Sequence, residues 1–200
     1  MSAKIDENGK YLPFPGYTVI SFLKERNNNN FASFHALMGK LKTFKKYYKA
    51  LPISSFHMTI KNHICIANPD YLSYKGQMTN HVAKICEIMD VAPRCKILNM
   101  YTNSSLGVFL EIQNPENVDK LRDILVVLGM NPEPKFKFHM TFAYKYKMEI
   151  EEKDKNALDR DLRVIYKKLS SFINDSTIFE FEHARYCYFP SMEEYIQVSM

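Results

Sequence analysis

Apolar and polar positions along the chain break it into short strands and amphipathic helices. Tyr17 to Leu23 (YTVISFL), reached through Pro15-Gly16, has the β-branched and aromatic content of a strand. Asn27 to Asn30 predicts a loop. A helix follows from Phe31 to Lys46, with Phe34, Leu37, Met38, Leu41 and Phe44 at helical spacing. Phe56 to Lys61 alternates as a strand. Lys75 to Asp90 places Met78, Val82, Ile85 and Met89 on one helical face, and Arg94 to Thr102 is a strand. Leu106 to Gln113 opens a second round. Asn114 and Pro115 start a helix whose stripe is Val118, Leu121, Ile124, Leu125 and Leu128, closed by Gly129. Lys137 to Tyr144 is a strand, Glu151 to Phe172 a long helix, and further strands lie near Ile178 to Tyr188 and Tyr195 to Ser199.

Strand, helix, strand, helix, strand therefore occurs twice. The expected architecture is one α+β domain over residues 1–200, with two pseudo-symmetric lobes of roughly 17–102 and 106–199. Antiparallel-rich sheets should surround a central cleft, with helices outside.

The third element of each round carries the same tetrapeptide, Phe-His-Met-Thr, at Phe56–Thr59 and Phe138–Thr141, with the histidines 82 residues apart. On a strand His57 and Thr59 share one face, and Phe56, Met58 and Ile60 share the other. The second copy sets His139 and Thr141 against Phe138, Met140 and Phe142 in the same way. Chance would give about 0.2 His-x-Thr tripeptides in this composition. An imidazole titrates near neutrality, so two in one cleft supply a general base and a general acid without a metal. Two threonine hydroxyls and an imidazolium suit the non-bridging oxygens of a phosphate, where charge builds in the transition state.

Composition narrows the class without deciding it. The chain has 27 basic and 22 acidic residues, net +5, a mild excess that an anionic ligand would suit. No apolar run is long enough to span a bilayer, and Met1 to Lys10 does not read as a signal peptide. Cys65, Cys86, Cys95 and Cys187 form no CxxC pair, so reduced thiols in a cytoplasmic protein are expected. No cofactor and no metal site are expected, since no Cys/His set has ligand spacing. Neither a membrane nor an obligatory protein partner is implied, and the expected state is a monomer.

Paired His-x-Thr motifs on equivalent strands of a duplicated α+β chain resemble the two-histidine (2H) phosphoesterase superfamily, which includes LigT-like 2′,3′-cyclic phosphodiesterases. Pro13–Ile20, Leu51–Thr59 and Phe189–Met192 look like a poorly characterised branch of it. The resemblance implies that His57, Thr59, His139 and Thr141 are catalytic. It implies a phosphodiesterase acting on a nucleotide or RNA end by opening a 2′,3′-cyclic phosphate, with His139 as base and His57 as acid, or with the two roles exchanged. Two alternatives stand beside it. One is degradation of a signalling nucleotide, a 2′-5′ oligoadenylate or a cyclic dinucleotide. The other is a non-catalytic RNA- or nucleotide-binding module. LigT-like members often carry Arg at the position of Tyr144, so one phosphate-binding cation is missing here.

Softer candidates surround the motifs. Lys61 and Lys137 lie on the histidine faces of their strands in a regular alternation and would attract phosphate. Tyr17, Tyr144 and Tyr146 would stack a base. Arg185 and Tyr186 would border the cleft from a late strand. His35, His63, His81 and His183 read as surface or structural, and the lysines at 40, 42, 45, 46 and 49 as a solvated helix face.

Overall fold

The computed structural model describes residues 4–73, 79–174 and 177–198. Its strands are β1 (Gly16–Phe22), β2 (Tyr48–Ala50), β3 (His57–Cys65), β4 (Arg94–Thr102), β5 (Ser105–Ile112), β6 (His139–Lys145), β7 (Ile178–Glu180), β8 (Arg185–Ser191) and β9 (Glu194–Gln197). Its helices are α1 (Glu25–Lys40), α2 (Lys42–Tyr47), α3 (Thr79–Met89), α4 (Pro115–Val127) and α5 (Glu152–Asn174). The strands form two antiparallel sheets, ordered β3-β1-β8-β9 and β2-β6-β5-β4-β7. Helices α3 and α4 pack on the first sheet through β8 and β3. Helices α1 and α5 pack on the second through β2 and β4. The fold is thus the expected α+β arrangement of two lobes with helices outside.

Sheet membership does not follow the two halves of the chain. β4 joins the second sheet although it lies in the first half, and β8 and β9 return to the first sheet. The reason is local. Only Asn103 and Ser104 separate β4 from β5, and so short a connection forces the two strands to pair as a hairpin. The boundary near residue 104 is therefore the turn of a hairpin inside one lobe.

Helix α1 absorbs the asparagine run that predicts a loop. Asparagine is a poor helix former, but Phe31, Phe34 and Met38 are completely buried along this helix. Asn27 helps by donating its amide to the Glu180 carbonyl at 2.8 Å. The predicted helix of 31–46 is two helices, because Leu41 is extended. The new start at Lys42 is capped from elsewhere: the Asp161 carboxylate of α5 accepts the Phe44 N–H at 2.8 Å. Asn114 occupies the N-cap position of α4 but makes no side-chain cap bond. Its amide instead ties the chain before β4, accepting from Arg94 N and donating to Ala92 O. The first residues of the helix predicted from Lys75, including Met78, and the predicted strand end at Ser199 lie outside the described residues.

The core is aromatic, and it joins the motif strands of the two sheets. Phe56 before β3 and Phe142 on β6 are 5.1 Å apart between ring centroids. Phe31 touches both and also Phe34, Phe172 and Phe179. Met58, Ile60 and Met140 are buried beside them, so the apolar faces of both motifs point inward as their alternation requires. Truncating Phe31 to Ala should cost about 3–5 kcal/mol of folding free energy, as for other fully buried aromatics. Urea denaturation of the variant measures it, and a loss below about 1 kcal/mol would mean that this cluster is not the shared core.

Candidate active site

His57, Thr59, His139 and Thr141 line one cavity of about 370 Å³. Both histidines are held alike. His57 Nδ1 lies 2.7 Å from the Ser55 carbonyl and His139 Nδ1 lies 2.9 Å from the Lys137 carbonyl. A carbonyl only accepts, so each Nδ1 carries the proton. In the neutral ring Nε2 is then the basic nitrogen. The same contact, to the residue two positions back, arises twice from the same tetrapeptide at the start of a strand.

The two rings differ in surroundings. His57 packs on Tyr195 of β9 at 4.3 Å between centroids and meets the edge of Phe22. Burial drives its pKa down to about 4. The Ser55 hydrogen bond opposes this, and the positive charges of His139 and Lys4 add to it. His57 is therefore neutral at neutral pH. His139 borders Tyr101 and Phe136.

Thr141 is oriented by Tyr101 of β4, whose hydroxyl lies 2.9 Å from Thr141 Oγ1. Burial raises the Tyr101 pKa, so its phenol keeps its proton and can donate it. Thr141 then has its own proton available for the cavity. Gly107 on β5 makes this possible. A Cβ there would stand 2.3 Å from the Tyr101 hydroxyl and 2.4 Å from the Met140 carbonyl.

The softer candidates separate. Tyr17 and Tyr144 line the cavity. Tyr17 stacks on Tyr186 with centroids 5.7 Å apart, and Tyr144 meets the edge of Tyr11. Lys61 does not line it. The register of β3 against β1 passes from Thr59 to Lys61 without using Ile60, a bulge that turns Lys61 to the buried side. Ile60 and Lys61 are both fully buried, and Lys61 Nζ pairs with Glu133 at 3.4 Å. The bulge is held from α4, where Arg122 Nη1 donates to the Ile60 carbonyl at 2.5 Å. Asn62 takes the wall position instead and donates to Glu133 Oε1 at 2.7 Å.

Lys137 contributes its carbonyl to His139, while its exposed ammonium sits over the Phe109 ring. Arg185 pairs with Glu182 and lines a different cavity, with Asp90 and His183. Tyr146 hydrogen-bonds to the Lys45 carbonyl and borders another surface pocket.

Several cavity residues escape sequence reasoning. Lys4 lines the wall near Tyr144, and Tyr195 covers His57. His63, read as surface or structural, is also in the wall, and its Nδ1 lies 2.6 Å from the Tyr186 hydroxyl. No motif marks them: His63 sits on β3 past the tetrapeptide, while Lys4 and Tyr195 come from segments far away in sequence. The cavity extends along β3 from His57 to Cys65, where Asn68 accepts the Cys65 N–H at 2.8 Å. His57 and Thr59 thus sit at one end of β3, and Asn62, His63 and Asn68 line the wall towards the other.

All four cysteines are free thiols. Among the described residues no group of three or more His, Cys, Asp or Glu side chains converges as a metal site, and no helix is long and apolar enough to cross a membrane.

Residues 4–99 match the 2H-phosphodiest family, described as a domain of unknown function (DUF1868). A stretch of 70 residues is 39% identical to uncharacterized protein 127L of Invertebrate iridescent virus 6, covering 32% of this chain and 28% of the viral protein. The chain thus spans well under half of that relative. Among solved structures, the conserved protein of unknown function ATU0111 from Agrobacterium tumefaciens is 16% identical. It covers 100% of this chain and 91% of its own, with a TM-score of 0.74, which is a likeness of fold. Usb1 of Kluyveromyces marxianus, solved with uridine monophosphate, is 11% identical over 94% of this chain and 98% of its own, with a TM-score of 0.46.

The depressed pKa of His57 has a sign that can be checked. The unfolded chain takes up a proton near pH 6.5 and the folded chain near 4. The stability that goes with a neutral His57 is complete above about pH 6.5 and falls as the pH is lowered towards 4. An NMR titration of the His57 ring should give a midpoint of about 4, and a midpoint at 6.5 would mean a solvated ring.

Proposed function

We propose, from the match of residues 4–99 to the 2H-phosphodiest family, that the chain is a metal-independent phosphodiesterase acting on a nucleotide or RNA end. The observation that carries the proposal is the duplicated geometry. Two histidines, each with its basic Nε2 left over by an Nδ1 bond to a carbonyl, line one cavity with the threonines of the same two motifs.

The favoured reaction is hydrolysis of a 2′,3′-cyclic phosphate. Water attacks phosphorus and gives its proton to one imidazole. The phosphorus–oxygen bond to the ribose breaks, and the other imidazole, protonated, gives its proton to the departing oxygen. Thr59 and Thr141 donate to the non-bridging oxygens, the second of them set by Tyr101. The resulting phosphomonoester leaves, and the two histidines exchange protons with solvent to reset.

The electrostatics favour the exchanged role assignment. A ring with a pKa of about 4 is neutral when substrate arrives, which suits a base. His57 is therefore the base in this proposal, and the acid is His139. Activated esters test it, since a nitrophenolate departs without a proton. On a nucleoside nitrophenyl phosphodiester, His139→Ala should recover much of the wild-type rate, while His57→Ala stays about a hundredfold or more below it. The opposite pattern returns the acid role to His57. Equal damage to both variants on both substrates leaves no leaving-group acid in the site.

The length of the cavity supports a second reading, a phosphodiester with a nucleoside on each side, such as a 2′-5′ oligoadenylate or a cyclic dinucleotide. Tyr17 and the amides of Asn62 and Asn68 would face the second nucleoside. Turnover across a panel of cyclic mononucleotides, 2′-5′ adenylates and cyclic dinucleotides decides between the two. The whole panel should be run in excess chelator. Activity is expected to persist there, and loss restored by one divalent ion would refute the metal-independent mechanism.

A further inference from the structure

A cation stands beside Tyr144 in the cavity wall. Lys4 Nζ lies 5.3 Å from the ring centroid of Tyr144 and 5.3 Å from that of Phe14. Among the described residues it forms no salt bridge. Of the described residues lining the cavity it is the single lysine, and no arginine joins it.

A small hairpin delivers it there. Ile5 and Tyr11 form a bridge, and Leu12 N–H donates back to the Lys4 carbonyl at 3.1 Å. The Asp6 carboxylate closes the turn by accepting the N–H groups of Asn8 and Lys10 at 2.9 and 2.8 Å. Gly9 takes the left-handed φ of 78° that the turn requires. The hairpin is tied to both sheets. The Tyr11 hydroxyl donates to the Lys49 carbonyl on β2, and Phe14 N–H donates to the Pro190 carbonyl on β8. The hairpin that carries Lys4 is thus tied to both sheets by one side-chain and one backbone hydrogen bond.

An ammonium held by two ring faces has lost water without gaining a counter-ion. An arriving anion supplies that counter-ion, and a charge-assisted contact in a sheltered cavity is stronger than one in solvent. Two further effects fit this position. Burial lowers the Lys4 pKa, and the Lys4 charge is felt at the His57 ring.

Resting on the phosphodiesterase reading, we propose that Lys4 is the phosphate-binding cation of this cavity, carried in by the N-terminal hairpin and seated between the rings of Tyr144 and Phe14. The group it takes is a phosphate with free non-bridging oxygens, next to His57.

The test uses the full chain, with inorganic phosphate as the probe in calorimetry and NMR as a second readout. Lys4→Met keeps the length of the side chain and removes the charge. It should weaken phosphate binding about tenfold or more and move the His57 titration midpoint upward. Lys4→Arg should keep the affinity within about threefold of wild type, since the charge remains. Equal phosphate affinity in wild type and Lys4→Met would overturn the inference, as would absence of phosphate binding to the wild type. Assays on diester substrates keep the two proposals apart. Turnover with unchanged phosphate affinity in Lys4→Met sinks the Lys4 assignment alone. A Lys4-dependent phosphate site with no turnover on any diester upholds Lys4 as an anion site and sinks the enzymatic reading.

Discussion

The contact between Phe56 and Phe142 holds the candidate site together. Phe56, just before β3, and Phe142, on β6, continue the apolar sides of strands in different sheets, and they meet in one aromatic core with Phe31. Side chains alternate along a strand, so committing one face of each to the core commits the other face to the cleft. His57, Thr59, His139 and Thr141 come to line one cavity for this reason. Stability and chemistry are two sides of the same pair of strands.

Within that frame the two motif copies are equal in backbone and unequal in environment. Each histidine uses Nδ1 on a carbonyl two residues back, which is local geometry and therefore repeats. Enclosure by Tyr195 and Phe22, and the positive charges nearby, act on His57. Such asymmetry is what an acid–base pair needs, since two identical imidazoles would favour the same protonation state. The asymmetry comes from β9 and from the N-terminal hairpin, segments remote in sequence from either motif.

Irregularities in the strands decide which polar groups join the cavity. The bulge at Ile60 sends Lys61 to a buried pair with Glu133 and hands its place in the wall to Asn62. Gly107 leaves room for the Tyr101 hydroxyl to reach Thr141. A regular strand in the first case, or a side chain in the second, would give a cavity with a different charge and a differently aimed hydroxyl. The one lysine among the described lining residues, Lys4, thus belongs to neither motif strand.

What the amino-acid sequence by itself determined is local and periodic. The alternation in Phe-His-Met-Thr assigned each motif residue to core or cleft. The apolar stripes marked α4 and α5, and Gly129 ended α4 with a φ of 96°. Each of these depends on residues a few positions apart, so no knowledge of the rest of the chain was needed. Only the tertiary structure decided the rest. The asparagine run became helix because Phe31, Phe34 and Met38 found a core. Helix α2 started where Asp161 of α5 could cap it. Lys61 left the cavity because α4 secured a bulge, and Lys4 entered it because a hairpin was pinned to both sheets. These outcomes turn on contacts between residues tens to more than a hundred positions apart, whose energies outweigh local preference and leave no periodic trace in the sequence.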